Sequence, residues 1–532
     1  MSKTLQFLPA GSNRFIVELD DLESTIALGD ALKAACIEGV AEVIPGAVTL
    51  HVSFDPLATS AQKLYAQISS LRPQVGCSRS GDLVEIPMAY DGEDLAFVAG
   101  YLGWSVPELI RRHRAATFTV AFTGFAPGFA YMTCDDPELD VPRRDSPRVR
   151  IPAGSVALAG RFCGIYPSDT PGGWQLLGAT TIPMWDVDRE QAALLKPGDQ
   201  VRFVEAVNDQ LPVPSAEAES APSSTQIAKG LKVVSTDRPL LFQDLGRAGN
   251  AHQGVSQSGA ADLQALRDAN SLVGNHEAAV ALEVTYGGAV FEAEIPLTVA
   301  ISGAPAGLTL TTADGRTRTL PPYAPIALDA GDSLALSVPT KGVRSYVALR
   351  GGFAAAKVLG SASTDTLAKV GPGAITSGVS LQPSNDVRGS VSAYASQAPK
   401  LPASSDIVVL DVVMGPRTDW FTPEAIRTFT EQSWAVTPES NRVGVRLNGT
   451  SALSRECADE LPSEGASRGS IQVPRNGQPV LFLADHPLTG GYPVIAVVAE
   501  HHLSLAAQIP IGARIRFNAI AGFDPQVKEI DR

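Results

Sequence analysis

The sequence contains few cysteines, and their arrangement argues against a disulfide-rich secreted domain. There are five in 532 residues, and no two form a C-x-x-C pair: Cys36, Cys77, Cys134, Cys163 and Cys457. An odd and scattered set does not provide the paired framework of such a domain. Because cytoplasmic proteins keep their thiols reduced, we expect a cytoplasmic protein without disulfides.

Long apolar runs and long runs of Lys or Arg are also absent. No stretch approaches about 18 uninterrupted apolar residues, so no membrane-spanning helix is expected. The first residues lack the apolar core of a signal peptide. The formal net charge is −14, and no run of Lys or Arg provides a basic segment against this negative charge. Such a charge argues against nucleic acid or an anionic membrane as a partner.

Motifs for nucleotide, biotin and metal chemistry are missing as well. The sequence has no G-x-x-x-x-G-K-S/T phosphate loop, no G-x-G-x-x-G after a strand, and no Met-Lys-Met triplet for covalently attached biotin. Residues 465–469 have the G-x-S-x-G spacing of a hydrolase nucleophile, but their surroundings predict a loop leading into a strand. His501 and His502 follow Glu500 without H-E-x-x-H spacing, and adjacent histidines point to different sides of an element. We therefore expect no metal site.

Glycine and proline, by contrast, are abundant. The chain has 48 Gly and 39 Pro, with 44% apolar but only 6% aromatic residues. This excess indicates many turns between short strands. A chain of this length is too long to fold around a single hydrophobic core, and the length predicts about three or four domains. The predicted class is mainly β, with an α+β part.

The pattern of apolar residues divides the chain into four structured parts. Residues 1–87 follow a β-α-β-β-α-β order, which predicts a small ferredoxin-like α/β module. Two helices follow, the second capped by Ser105 with Glu108 in a capping box. Helices are also predicted at residues 261–272 and near residues 423–429. The domains expected are 1–87, 88–207, a Pro- and Ser-rich linker at 208–229, 230–398 and 399–532.

A weak internal repeat links the two halves. Residues 151–159 form an apolar strand opened by X-Pro, followed by PGGW at residues 171–174. Residues 473–484 repeat that pattern and are followed by TGGY at residues 489–492. Self-similarity of this kind predicts related barrels in the two halves.

The first half carries an aromatic, Gly-rich motif, FTGFAPGFAY at residues 122–131, followed by two Arg clusters. Glycine and proline shape tight turns that bring aromatic side chains against a ligand. An aromatic wall beside Arg suits a planar, small anionic substrate, because guanidinium binds a carboxylate bidentately. The alternative is a hydrophobic corner with surface arginines. The binding residues predicted here are Phe125, Pro127, Gly128, Phe129, Tyr131, Arg144, Gly172, Gly173 and Trp174.

The second half supplies charged candidates. Glu283 lies in an apolar strand and needs an arginine or amide partner. Asp485 follows the apolar run 480–484 and precedes Gly490, Gly491 and Tyr492. A carboxylate at the end of a strand, at the Gly-rich entrance of a binding site, is well placed to act as a general base. His113 lies late in a helix, where its cation would suit the C-terminal dipole or a ligand. The catalytic candidates are Asp485, Asp244, Glu283 and His113, and the further binding candidates are Arg247, Gly490, Gly491 and Tyr492.

These motifs resemble two known subunits. Residues 122–131 with 171–174 resemble subunit 1 of the allophanate hydrolase family, and residues 243–247 with 484–493 resemble subunit 2. Both proteins also occur as the B and C subunits of 5-oxoprolinase and as the carboxyltransferase part of urea carboxylase. The resemblance covers nearly the whole chain, in which the two appear fused. It implies a small α/β domain plus cyclophilin-like β-barrels, one in the first half and two in the second, with a cleft between the halves.

The resemblance implies three alternative functions. The first is ATP-dependent opening of 5-oxoproline to glutamate, with Mg and a separate protein like the A subunit of 5-oxoprolinase. The second is carboxyl transfer from carboxybiotin to urea, and the third is the binding of a histidine kinase, as by the Kip inhibitor and antagonist pair. The absence of a biotin domain favours the first. Whether the chain forms a homo-oligomer is left open by the resemblance. The family's Asp-Arg-Gln-Thr-Thr-Gly-Gly reads DHPLTGG at residues 485–491 here, so the Arg after the Asp is replaced by His486.

Overall fold

A computed structural model of the chain describes residues 4–73, 81–206, 229–457 and 459–529. Strands dominate its secondary structure, which confirms the predicted mainly β class. None of the helices in these ranges is long and apolar enough to cross a membrane. The predicted linker at 208–229 lies, apart from residue 229, outside the described residues and stays a prediction. Cys77 also lies outside them.

The N-terminal module is an antiparallel sheet with two helices. The sheet order is Val40–Pro45, Thr49–Phe54, Arg14–Glu18, Thr4–Pro9 and Gln526–Glu529. The helices are Leu22–Ala35 and Ala61–Ser70, and their N-caps Asp21 and Ser60 accept backbone N–H bonds. Phe7, Phe15 and Tyr65 form the centre of its core.

One strand of this module is assigned wrongly from the sequence. Strand Leu83–Met88, expected to complete the sheet, instead pairs in parallel with Gln200–Glu205 in the next sheet. Thr4–Pro9 takes the place beside Arg14–Glu18, and Gln526–Glu529 pairs with its outer edge. Alternation of apolar residues identifies a strand but not its partner, which explains the error.

The rest of the first half is built on a seven-stranded sheet. Its order is Gln175–Ala179, Ser155–Ala159, Phe162–Ile165, Ala130–Cys134, Phe118–Thr123, Gln200–Glu205 and Leu83–Met88. Arg148–Ile151 pairs with Thr170–Gly172, and the helices are Leu95–Tyr101 and Val106–Ala115. Ser105 caps the second helix as predicted, but the Glu108 side chain binds Arg111 and Arg112 instead of reaching back.

The second half begins with two sheets packed on one core. The first has the order Thr317–Leu320, Leu308–Thr311, Ser333–Leu336, Ala289–Ala293, Leu231–Thr236 and Ser380–Leu381. The second has the order Leu241–Gln243, Ala281–Thr285, Arg344–Leu349, Leu297–Gly303 and Pro325–Leu328. Phe291 and Val347 meet in their shared core. The predicted helix is Leu263–Leu272, and a 3-10 turn spans Ala251–Gln253.

The last unit is a closed barrel. Its strand order is Ile407–Met414, Val494–Val498, Ser470–Gln472, Val480–Phe482, Gly444–Asn448, Trp434–Val436 and Arg514–Ala521. Helices Pro423–Glu431 and Leu503–Ala506 and 3-10 turns Thr418–Trp420 and Glu500–His502 accompany it. A ribbon of Glu464–Gly465 and Thr489–Gly490 extends from it.

The two halves contact one another at several places. Ala47 N donates to Ser463 O at 2.7 Å, and Thr123 Oγ1 donates to His252 O at 2.8 Å. The buried Arg417 pairs with Glu18 of the first half at 2.6 Å and with Glu464 of the second half at 2.8 Å. These contacts hold the two halves against one another, as the resemblance implies.

Candidate active site

A cavity of about 350 Å³ lies between the two halves. The first half contributes the aromatic motif and the PGGW turn, and the second contributes the TGGY turn and residues near 455–475. Ten of the residues predicted to bind a ligand line this cavity: Phe125, Phe129, Tyr131, Arg144, Gly172, Gly173, Trp174, Gly490, Gly491 and Tyr492. The structure thus brings together motifs that are more than three hundred residues apart in the sequence.

The aromatic wall is packed edge to face. The Phe129 ring centroid lies 5.0 Å from that of Tyr131, 5.5 Å from that of Tyr166 and 5.4 Å from that of Trp174. Gly164 makes this packing possible, because a Cβ there would lie 2.8 Å from the Phe129 ring. Such interlocked rings favour a preformed apolar surface rather than one that assembles around a ligand.

Thr489 joins this wall to the second half. Its Oγ1 accepts a hydrogen bond from Phe125 N at 2.9 Å and lies 3.3 Å from the Tyr131 hydroxyl. Ser463 Oγ donates to the same hydroxyl at 3.3 Å. Gly124 admits Thr489, since a Cβ on Gly124 would lie 2.7 Å from the threonine methyl group. The hydroxyls of Tyr131, Ser463 and Thr489 therefore form one cluster at the seam.

The cationic groups of the cavity differ in their partners. Arg144 is paired with Asp94 at 2.7 Å, and Arg475 with Glu460 at 2.8 Å. Among the described residues, Arg143 has no carboxylate within ion-pair distance. Its Nη2 donates a long bond of 3.4 Å to Ser463 Oγ. Arg143 can therefore bind an anion in the cavity. Arg455 also lacks a carboxylate partner among the described residues, but it donates to Val473 O and lies over the Tyr492 ring, 5.7 Å from its centroid.

The sequence predicts Arg144, and not its neighbour Arg143, as a binding residue. Both belong to the same Pro-Arg-Arg cluster, and nothing local distinguishes them. The difference is made by Asp94, which the fold brings to Arg144 and which also accepts from Arg148 Nη1 at 2.9 Å. Arg144 therefore mainly fixes the rim of the cavity.

Three other predicted binding residues lie elsewhere. Pro127 is buried within the aromatic motif. Gly128, with φ +77, donates its N–H to Gln253 O at 2.9 Å, and a Cβ there would lie 2.7 Å from Met184 O. Arg247 is buried and donates to the carbonyl oxygens of Val358 and Ser363. These residues shape the fold behind the cavity and do not line it.

Asp485 also lies away from the cavity, contrary to the expectation that it faces Gly490, Gly491 and Tyr492. The residue is 0% exposed. Its carboxylate pairs with Arg442 at 2.9 Å and accepts hydrogen bonds from Ser258 Oγ at 2.7 Å and Thr366 Oγ1 at 2.7 Å. Although burial opposes ionisation, Arg442 and Thr366 lower the pKa of Asp485 below its usual value. This is the environment of a buried ion pair rather than of a general base.

The other two acidic candidates lie in related networks. Glu283 pairs with Arg442 at 2.7 Å and accepts from the Tyr346 hydroxyl at 2.6 Å, which confirms the predicted arginine partner. Arg442 therefore links Glu283 of the two-sheet unit to Asp485 of the closed barrel that follows it. Asp244 accepts from the hydroxyls of Ser361 and Ser363, both at 2.6 Å. Neither carboxylate reaches the cavity.

His113 is neither a capping cation nor a ligand contact. It is buried in the core of the first half, where Nδ1 lies 2.9 Å from the Tyr90 hydroxyl and Nε2 lies 3.8 Å from Cys163 Sγ. Burial lowers the pKa of His113 to about 3, so the ring is neutral near neutral pH. The predicted position of His113 near the end of a helix is confirmed. The sequence did not predict that His113 lies on the face of this helix that packs against the core.

Two β-rich halves that enclose an aromatic and cationic cavity are thus joined in one chain, and each half matches a model of the carboxyltransferase domain. Residues 5–195 match the family described as carboxyltransferase domain, subdomain C and D. Residues 253–519 match the carboxyltransferase domain, subdomain A and B. The chain belongs to the carboxyltransferase domain family and carries both parts in one polypeptide.

The curated relatives match the halves separately. The C subunit of 5-oxoprolinase from Escherichia coli strain K12 is 37% identical over 295 residues, covering 54% of this chain and 90% of that protein. The B subunit of 5-oxoprolinase from Escherichia coli O157:H7 is 40% identical over 175 residues, 31% of this chain and 78% of that protein. The urea amidolyase of Saccharomyces cerevisiae is 33% identical over 293 residues, 51% of this chain but 16% of that protein.

A solved structure shares the whole arrangement. The crystal structure of TTHA0988 superimposes with a TM-score of 0.80 at 33% sequence identity, covering 95% of this chain and 99% of that one. Both halves and their relative placement are therefore found together in another protein.

Proposed function

We propose that this chain is the fused B and C component of an ATP-dependent 5-oxoprolinase in the cytoplasm. It would act with a separate protein like the A subunit of 5-oxoprolinase, the A-type partner. Relatives named as B and C subunits of 5-oxoprolinase match the two halves and are covered over most of their length. The observation that carries the proposal is the cavity that both halves build, with the unpaired Arg143 beside an aromatic wall.

The cavity's chemistry suits 5-oxoproline, a small five-membered lactam with one carboxylate. The Arg143 guanidinium would bind the carboxylate, while Phe129 and Trp174 would contact the flat ring. The hydroxyls of Tyr131 and Ser463 lie at the same seam and would hydrogen-bond the lactam amide. Phosphorylation of the lactam oxygen by ATP makes the amide carbon electrophilic to water, and ring opening then gives glutamate, ADP and phosphate.

ATP with Mg fits this cavity less well than the lactam does. A triphosphate needs several cationic or backbone N–H donors, and two of the four arginines lining the cavity, Arg144 and Arg475, are already paired with acidic residues. The sequence also lacks a phosphate loop. We therefore expect the A-type partner to bind most of the nucleotide, while this chain binds the lactam.

Reconstitution tests the proposal directly. The chain, its A-type partner, ATP, Mg and 5-oxoproline are combined, and glutamate and ADP are measured with each component omitted in turn. We expect turnover only when all are present. Glutamate formation by the chain alone, or no turnover in the complete mixture, would contradict the proposal.

Carboxyl transfer is the second candidate. It is favoured by the carboxyltransferase family match over residues 253–519 and by the similarity to urea amidolyase. The same aromatic and cationic cavity could accept a carboxylated ureido ring. The distinguishing measurement is incorporation of labelled bicarbonate into urea in the presence of a biotinylated carboxylase, with avidin as the inhibitor. Avidin-sensitive incorporation without 5-oxoproline turnover would replace the first candidate by the second.

A further inference from the structure

A second cluster of ligand-type side chains lies on the C-terminal barrel, outside the cavity. His501 and His502 belong to the 3-10 turn Glu500–His502, which follows strand Val494–Val498. Asp411 comes from strand Ile407–Met414, about ninety residues earlier. The sequence predicts no metal site here because the spacing is not H-E-x-x-H and adjacent histidines point to different sides of an element; the fold brings Asp411 beside both of them.

The donor atoms of these three residues converge. His501 Nε2 lies 3.0 Å from Asp411 Oδ2, and His502 Nδ1 lies 3.8 Å from the same oxygen. All three donor atoms lie within 4.8 Å of one another. A tetrahedral ion with bonds of about 2.0–2.2 Å holds its ligand atoms about 3.3 Å apart. Rotation of the side chains, including rotation of the His502 ring away from Asp411 N, would bring the three donor atoms around one ion.

The surroundings also favour a metal ligand set. Asn518 Nδ2 donates to the other carboxylate oxygen, Asp411 Oδ1, at 2.7 Å, which fixes the carboxylate as outer partners do in metal sites. The His501 side chain is 59% exposed, so an ion can enter and water can complete its coordination. We propose that Asp411, His501 and His502 form a surface site for a divalent first-row transition metal ion such as Zn²⁺.

The ligand types decide the class of ion. Two imidazoles and one carboxylate suit Zn²⁺, Ni²⁺ or Cu²⁺, whereas Mg²⁺ and Ca²⁺ prefer oxygen ligands alone. His502 Nδ1 accepts a hydrogen bond from Asp411 N at 2.9 Å, and binding of an ion replaces that bond. We therefore expect micromolar rather than nanomolar affinity. The bound ion would join the turn at 500–502 to the neighbouring strand.

Titration of the tag-free chain with Zn²⁺ tests the site. Isothermal titration calorimetry should show one ion bound per chain, and the melting temperature should rise by a few degrees at saturating Zn²⁺. Mg²⁺ should produce neither effect. Co²⁺ provides a spectroscopic readout, because its visible absorption reports nitrogen and oxygen coordination.

Two variants locate the binding. His501→Gln and Asp411→Asn should each weaken Zn²⁺ binding at least tenfold and abolish the Co²⁺ spectrum, with little change in the melting temperature of the metal-free protein. His276→Gln, at an exposed histidine elsewhere, is the matched control and should bind like the parent. Unaltered Zn²⁺ affinity in both variants would show adventitious surface binding only and would overturn the proposal, as would an absence of binding to the parent.

Discussion

Thr489 Oγ1 accepts a hydrogen bond of 2.9 Å from the backbone N–H of Phe125, 364 residues earlier in the chain. Phe125 has φ 62, a left-handed conformation that non-glycine residues rarely adopt. The surrounding contacts must hold such a residue in place. One hydroxyl of the second half thus fixes the turn from which the aromatic wall of the first half extends.

Replacing Thr489 by Val should therefore impair the cavity. The variant keeps the shape of the side chain but leaves Phe125 N without its acceptor, at a cost of about 1–3 kcal/mol. We expect kcat/KM for the assembled enzyme to fall by roughly tenfold or more. Thr489→Ser, which retains the hydroxyl, should restore most of the activity. Thr309→Val, on an exposed strand position, is the control. Full activity of Thr489→Val would refute a positioning role.

Arg143→Gln should raise KM more than it lowers kcat. The substitution removes a guanidinium that has no carboxylate partner while keeping a polar side chain, so binding of the substrate carboxylate should weaken by about 1.5–3 kcal/mol, which is at least tenfold in KM. The matched control is Arg150→Gln, since Arg150 is exposed and paired with Asp169 at 2.6 Å. Equal effects of the two variants would assign the anion to another group.

Asp485→Asn should lower the free energy of unfolding before it lowers the rate of the reaction. The change leaves Arg442 facing a neutral amide in a fully buried site, and breaking such a pair typically costs about 3–5 kcal/mol. Denaturant unfolding should show the loss. Asp314→Asn, in the exposed pair with Arg316, should change stability little. An unchanged melting temperature with lost turnover would instead return Asp485 to a catalytic role.

Stability should decline as the pH falls below about 6.5. Burial lowers the pKa of His51 and His113 to about 3 and that of His486 to about 4, from 6.5. Between these values the unfolded chain binds more protons at these histidines than the folded one does, so their contribution lowers the free energy of unfolding as the pH falls through that window. Melting temperatures from pH 7.5 to 4.5 measure this effect.

His51 allows that linkage to be tested at one residue. Neither of its buried ring nitrogens has a hydrogen-bonding partner among the described residues. His51→Leu should therefore keep or raise the melting temperature at pH 7 and make its decline toward pH 4.5 shallower. His276→Gln should leave the slope unchanged. A steeper decline in His51→Leu would show that the histidine is not the group being protonated.

The binding cavity was largely predictable because its motifs are local. Phe125, Phe129 and Tyr131 share one Gly-rich segment, and Gly490 and Tyr492 share another, so periodicity and turn chemistry identified both walls. The charged groups were not predictable in the same way. Arg144 differs from Arg143 only through Asp94, and the carboxylate of Asp485 is neutralised by Arg442, about forty residues away in the sequence. Pairing of charges depends on long-range packing, which a local pattern does not encode.

The same limit applies to the fold. Strand positions such as Leu83–Met88 and helices such as Leu263–Leu272 follow from the spacing of apolar residues. The choice of partner strand does not, and the sheet at the start of the chain gains its outer strand from the end of the sequence. Tertiary contacts decide between partners of similar local propensity.

The pairing of Gln526–Glu529 with Thr4–Pro9 has a consequence for biosynthesis. Thr4–Pro9 is translated long before Gln526–Glu529, so this edge of the sheet stays open until the later strand has been made. An unpaired strand edge is a template for association with other chains. Nascent molecules that stall before residue 526 would therefore be prone to aggregation, whereas those that include Gln526–Glu529 cover that edge themselves.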